Sequence, residues 1–320
     1  MLEIELNICQ VSLNRDIPLI LENYKNFKKF YKKNIHFFVI CPNEQVNEFK
    51  EKLYFDEFKI IDENEIIEFK EFENIYHTLS KNIDYSEVMA KRLKWYYQQV
   101  LKISFSINFI KKYDKNIVIW DADTILLKKI IFFQNNISVK YGNFFEFHKA
   151  YYLTNEYILK KLPNYFISSL NQFIAISKDE CNFFVNNFLS KEFDEKYFGA
   201  EISKIIFQSI FAKHKFYNGS MFSEYELLGQ SNYLYNPIKQ KPLLFLRFGL
   251  DGKLNDSQKN ISSFLGFKHI TYEHSHKNIK GPGMLNRTQS WTGFVKIIFK
   301  NFLKYYLRSI KHTIMYNFKR

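Results

Sequence analysis

Asp121-Ala122-Asp123 sets two carboxylates around one small residue, directly after the apolar run Ile117-Val118-Ile119-Trp120. Hard oxygen donors in such a pair suit Mg²⁺ or Mn²⁺, which accept few protein ligands and fill their shells with phosphates and water. A metal there would neutralise charge on a leaving diphosphate. The bland alternative is a solvated turn with a helix cap at Asp123. Apolar Ile125-Leu126-Leu127 on the far side weighs against it, because carboxylates between two apolar runs are rarely plain surface. A second group is Ser223-Glu224-Tyr225-Glu226. Its carboxylates suit acceptor hydroxyls, and Glu224 or Glu226 could act as general base or steady a cationic centre. Ser223 and Glu226 also spell a helix capping box. His274 and His276 form a His-Ser-His stretch. It reads as a ligand pair or as two exposed loop histidines.

These groups need elements to hold them. Strand signals fall at 4–11, 35–40, 58–61 and 116–120, and helix signals at 16–31, 43–53 and 85–110. Strands that alternate with helices predict an α/β fold with a mainly parallel sheet. The run Ile35 to Ile40 lacks polar alternation, which suits a strand covered on both faces. Open sheets of this kind bind ligands at the carboxyl ends of their strands. Asp121 stands at such an end, with alternation sending Asp121 and Asp123 to one side. Further on, 136–147 reads as strand and loop, 166–177 as a helix or strand entering the sheet, and 178–189 as a helix. In the 85–110 segment, Gln98 and Lys102 lie four apart and share a helix face. Gln98 or Gln99 could bond a sugar or nucleotide edge, and Lys102 could reach a phosphate. Arg92 and Lys94 add charge that suits a diphosphate or an exposed face equally. Trp95, Tyr96 and Leu101 read as core.

Four elements resemble a known family. Trp95-Tyr96-Tyr97-Gln98-Gln99-Val100-Leu101-Lys102 resembles a WYxQQxxK segment, and Ile117 to Thr124 resembles the strand form ending WDADT. Phe222 to Gly229 resembles FSEYExxG, and Thr271-Tyr272-Glu273-His274 an aromatic-Glu-His stretch. Their order and spacing are similar to those of a bacterial glycosyltransferase-like family of the DUF6492 type, related to the GT8 and GT32 groups. The resemblance spans roughly residues 4 to 276. It implies a GT-A (Rossmann-like) nucleotide-sugar-binding fold, a nucleotide-sugar donor with UDP-sugars as the first expectation, and a role in bacterial surface glycans. It also implies a metal site of Asp121, Asp123 and His274. Catalytic roles are expected for Asp123, Glu224 and Glu226. Donor contacts are expected from Gln98, Gln99, Lys102, Asp121, Lys277 and Lys280, the last two as a lid over the phosphates.

Composition sets the surroundings. The 320 residues are 46% hydrophobic and 19% aromatic, enough for a sizeable core and unlike a disordered chain. Part of the Phe, Ile, Tyr, Asn and Lys excess matches AT-rich codons. Cys9, Cys41 and Cys181 are odd in number with no paired spacing, which suits a reducing compartment. No run predicts a membrane-spanning helix or a signal segment. The net charge of +13 is concentrated: residues 274–320 hold ten Lys or Arg and no Asp or Glu. Lys296, Lys300, Lys304 and Arg308 make one helical stripe. Trp291, Val295, Ile298, Phe299, Phe302, Tyr306 and Ile310 are expected opposite them. A basic amphipathic helix with aromatics lies flat on anionic bilayers, or packs on its own domain. No nucleic-acid motif accompanies it. The expected division is a catalytic domain, 1–283, and a membrane-association helix, 284–320. The chain is then a divalent-metal-dependent glycosyltransferase, cytoplasmic and peripheral on the inner face of the membrane. Its acceptor would be a lipooligosaccharide, capsule or O-antigen glycan. The competing reading is a non-enzymatic membrane-associated adaptor.

Overall fold

A computed structural model of the chain describes residues 5–31, 34–144, 148–163, 167–189, 198–217, 219–249, 254–273 and 291–318. The central sheet is built from β1 (Leu6–Val11), β2 (Ile35–Cys41), β3 (Phe58–Asp62), β4 (Ile117–Trp120) and, later in the chain, β9 (Phe173–Ile176). Its order is β3-β2-β1-β4-β9. The β1–β2, β2–β3 and β1–β4 pairs are parallel, and β4–β9 is antiparallel. The expected α/β architecture with a mainly parallel sheet is therefore present.

Alternation along the strands assigns each side chain to one of two cores. Cys9, Phe38, Ile40, Ile117 and Ile119 enter one core. Ile8, Phe37, Val39, Cys41, Val118 and Trp120 enter the other. A fully buried Ile or Phe contributes about 1.5–3 kcal/mol. A one-residue slip would exchange the two sets, so burial on both faces fixes the register. The three cysteines are free and buried, acting as small core residues.

α1 (Ile17–Tyr31) covers one face, with Ile20, Tyr24 and Phe27 in its core. Pro18 stands in its first turn, where a missing N–H costs nothing. α2 (Val46–Lys52) leads to β3. α3 (Phe69–Leu79), α4 (Ser86–Ala90) and α5 (Leu93–Tyr113) follow on the other face. α5 stops at Asp114, which adopts a left-handed φ of 54° and returns its N–H to the Ile110 carbonyl at 2.9 Å. That stop feeds the chain straight into β4.

After β4 the chain turns sharply into β5 (Thr124–Leu126). Two-residue strands β6 (Phe133–Gln134), β7 (Ile137–Ser138) and β8 (Tyr141–Gly142) then precede α6 (Lys149–Leu159). Beyond β9 come α7 (Lys178–Phe188), α8 (Phe198–Lys213) and α9 (Glu224–Tyr235). The segment from Ser177 to Glu180 forms a true capping box on α7. A short strand β10 (Lys241–Pro242) is followed by β11 (Leu246–Gly249), α10 (Asp256–Phe264), β12 (His269–Glu273) and α11 (Trp291–Phe318). A second, three-stranded sheet has the order β11-β12-β5.

α11 is continuous from Trp291, and its start packs on the domain. Phe294 and Ile298 are buried with Leu19, Ile125, Phe267 and Tyr272. Ile298, expected on a membrane-facing side, docks on the domain instead. Trp291, Val295, Phe299, Phe302, Tyr306 and Ile310 stay exposed.

Candidate functional site

The chain adds β2 and β3 on one side of β1 and then returns to place β4 on its other side. This reversal opens a crevice at the carboxyl ends of β1 and β4, where open α/β sheets hold ligands. A cavity of about 490 Å³ lies there, bordered by Val11 at the end of β1 and Asp121 after β4. A second cavity, about 760 Å³, continues over the ends of β2 and β3 and shares Arg15, Trp95 and Gln98 with the first.

Asp121, Ala122 and Asp123 line the first cavity. They form a tight turn closed by Thr124 N–H donating to the Asp121 carbonyl at 3.0 Å. The turn is tied on both sides. Asp121 N–H donates to the Gln172 carbonyl at 3.0 Å, and Tyr272 N–H donates to the Asp123 carbonyl at 2.9 Å. A cap at Asp123 is excluded, since strand β5 follows and no helix.

Lys102 differs from its expected role. Its ammonium is buried at the cavity wall and held by the Asp121 and Glu224 carboxylates, at 2.8 Å from Glu224 Oε1, so here it anchors carboxylates. Burial alone would lower its pKa, but Asp121 and then Glu224 outweigh burial and raise it. Tyr225 Oη donates to Asp121 Oδ1 at 2.5 Å. Burial and the neighbouring carboxylates hold that phenol well above its ordinary value, so it remains a donor. Glu224 is raised by burial and by Asp121, with Lys102 opposing. Asp121 Oδ1 takes both bonds, leaving Oδ2 outside this network.

Gln98 and Gln99 both line the cavity, with different duties. Gln98 is half-buried at the junction of the two cavities. Gln99 is buried. Its Oε1 accepts from Glu224 N–H at 3.1 Å, and its amide donates to the Trp95 carbonyl at 3.1 Å. It caps α9 from a distant helix. The expected capping box fails accordingly: Ser223 is the N-cap residue but makes no side-chain cap bond. Glu226 points away from this cavity. It is fully buried, accepts from Ser169 N–H at 3.2 Å, and does not line the site. Burial pushes it up to about 7. Its catalytic assignment is corrected to a structural one, holding the segment that leads to Gln172.

Trp95 is half-buried rather than core, and carries the Arg92 guanidinium over its ring at 4.6 Å. Arg92 also donates to Ser220 Oγ at 2.7 Å, so it is fixed at the cavity wall. Lys94 lines the second cavity. His274, His276, Lys277 and Lys280 lie outside the described residues.

Sequence reasoning missed Arg15, Tyr151, Gln172 and the phenol of Tyr225. Gln172 is buried beside the carboxylate turn with a left-handed φ of 58° and an unbonded Oε1. Strain of that kind gathers at functional sites. Its local signal, Asn171-Gln172 before an apolar strand, is too short to stand out.

The lining holds four carboxylates, Asp16, Asp121, Asp123 and Glu224, against three cationic side chains, Arg15, Arg92 and Lys102. An anionic ligand is therefore not balanced by the protein alone, which suits a bridging cation. Among the described residues no three His, Cys, Asp or Glu side chains converge on a metal position. Two carboxylates still fit Mg²⁺ or Mn²⁺ brought with phosphates.

No curated protein sequence matches the chain. Among solved structures, it is similar to mouse xyloside xylosyltransferase 1 in its apo form, at 10% identity over 85% of this chain and 98% of that one, TM-score 0.44. The PaToxG glycosyltransferase matches at 13% identity over 73% of this chain and 70% of that one, TM-score 0.35. The mannosyltransferase Ktr4p from S. cerevisiae, in complex with GDP, matches at 19% identity over 40% and 36%, TM-score 0.26. Residues 18–176, which carry α5, β4 and the Asp121-Ala122-Asp123 turn, match the model of a family of unknown function, DUF6492.

Proposed function

We propose that this protein transfers a sugar from a nucleoside-diphosphate donor, a UDP-sugar first, to a hydroxyl of a bacterial surface glycan. The observation that carries the reading is the carboxylate turn at the β1/β4 crevice, with Asp121 clamped by Lys102 and Tyr225. In this reading the bond from the anomeric carbon to the diphosphate oxygen breaks, and its electrons leave with the diphosphate. The acceptor oxygen forms the new bond, and its proton passes to a carboxylate base, Glu224, or to the departing diphosphate. Asp121 and Asp123 would hold Mn²⁺ or Mg²⁺, with His274 as the third ligand. A bound ion of this kind neutralises charge on the departing diphosphate.

The protein's own groups supply the rest. Arg92, fixed by Trp95 and Ser220, faces the diphosphate. Gln98, at the junction of the cavities, bonds the donor. Asp121, Lys102 and Glu224 together carry one net negative charge in a largely buried setting. Fixed charge of that sign favours the positive charge that develops at an anomeric carbon. Gln99, Tyr225 and Lys102 keep both carboxylates in one geometry, so little reorganisation is needed during the reaction. The aromatic walls Phe69, Trp95 and Tyr97 of the second cavity suit a nucleoside ring.

The test is a thermal-shift panel of UDP, GDP, CDP and CMP compounds with and without Mn²⁺. The reading expects a nucleotide-selective rise in melting temperature that needs the metal and disappears in Asp123→Ala. No shift with any nucleotide, or an equal shift without divalent metal, rejects it and favours an adaptor without a donor site.

A further inference from the structure

Along α11 the side chains divide among three directions. Phe294 and Ile298 are buried in the domain. Lys296, Lys300, Lys304 and Lys311 are exposed at helical spacing. Between these two faces runs an apolar band that the described part of the protein leaves uncovered. It comprises Val295, Phe299, Phe302, Leu303, Tyr306 and Ile310, with exposures from 45% to 69%. Trp291 begins the band at 49% exposure. Exposed large apolar side chains in one row mark an interaction surface. At a rise of about 1.5 Å per residue the helix is about 40 Å long, so the band is extended and nearly straight.

We infer that this face of α11 lies flat on an anionic lipid surface, with the apolar band in the acyl boundary and the lysines among the headgroups. Three observations select this occupant. The first is charge. Residues 274–320 contain no Asp or Glu, so two copies of the helix would set like charges together, whereas an anionic bilayer complements them. The second is length against hydropathy. No helix among the described residues is long and apolar enough to cross a membrane, which leaves a surface-lying pose. The third is anchorage. Phe294 and Ile298 fix the start of the helix to the domain, and Arg308 donates to the Phe144 carbonyl at 3.3 Å. The band is therefore presented by a held helix.

This inference concerns lipid and stands or falls apart from the donor reading.

The experiment is co-sedimentation of the full chain with vesicles of phosphatidylcholine alone or with about one third phosphatidylglycerol. Binding is expected only to the anionic vesicles, and it should weaken as salt rises. Removing charge should weaken it about fivefold per lysine, so K296Q/K300Q/K304Q together should lose on the order of a hundredfold. F299S/F302S/L303S should bind weakly while melting like the parent, because those side chains touch solvent. Brominated lipid should quench Trp291, and W291F should lose the quenched component. The inference is overturned if anionic vesicles leave the protein in the supernatant, or if neutral vesicles bind as well. It is also overturned if the apolar variants leave vesicle binding unchanged while abolishing a dimer seen by light scattering. Tighter binding of duplex DNA than of anionic vesicles by the same lysines would overturn it too.

Discussion

Lys102 has more bearing on the site than its neighbours, because it is one buried cation between two carboxylates. Taking away one partner of a buried ionic group typically costs about 3–5 kcal/mol. Lys102→Met should therefore melt at clearly lower urea, and part of the deficit should return as pH is lowered, because Glu224, already raised by burial and by Asp121, then binds a proton and the repulsion is relieved. A deficit independent of pH would mean that packing, not charge, is what Lys102 supplies. Glu226 offers a pH test with a definite sign. Its carboxyl is pushed up to about 7 by burial, above the ordinary ~4.3 of glutamate. Between those values the folded chain holds a proton that the unfolded chain has released. Stability must then fall as pH rises from about 4 to about 7 and level off above. Glu226→Gln should remove that slope and gain up to about 3 kcal/mol at pH 8, read by urea titrations across pH. Residue identity showed that carboxylates matter here. It did not show which of Glu224 and Glu226 faces the cavity, since that depends on how α9 is rotated against the 167–172 segment.

At the scale of elements, α5 and α9 act as a pair. Gln99 caps the first turn of α9 across 125 residues of sequence. An N-cap bond is worth about 1 kcal/mol, so Gln99→Ala should lose roughly that in stability. It should lose more in transfer rate, because Glu224 begins the helix that Gln99 caps. Equal and small effects on both would make the cap merely structural. The strands of the sheet were legible because burial on both faces leaves a continuous apolar run, as in Ile35 to Ile40. The cap of α9 was not, because Ser223 and Glu226 offer a local solution that the fold sets aside for a distant one. α3 was legible in principle: Phe69, Phe72, Tyr76 and Leu79 keep helical spacing, and Phe72 and Tyr76 are buried against Phe207. The strand β5 looked like a mere apolar tail of the β4 motif, since pairing with β12 is invisible without the third dimension.

For the whole molecule, the expected boundary at 283 lies outside the described residues, and the start of α11 packs on the domain. α11 contributes Phe294 and Ile298 to the core between α1 and the small sheet. Deleting residues 291–320 should expose Leu19, Ile125 and Phe267 and lower the melting temperature. Phe294→Ala alone should cost about 3 kcal/mol. The exposed-band substitutions should leave the melt unchanged. A truncated chain as stable as the parent would restore the two-part division. The basic, aromatic character of the tail was plain in its residue types, whereas which apolar residues turn inward depends on the small sheet they meet.

The carboxylate turn also joins two sheets. Asp121 is tied through its backbone to the residue before β9, in the central sheet, and Asp123 to β12, in the small one. The two acids are thus held by both sheets as well as by the local turn that Thr124 closes. A ligand that grips both acids closes this seam as a staple would. Because the seam is closed only in the folded chain, such a ligand adds RT ln(1 + [L]/Kd) to the stability of the entire fold. A change that populates an open seam weakens the ligand by the closed fraction it removes.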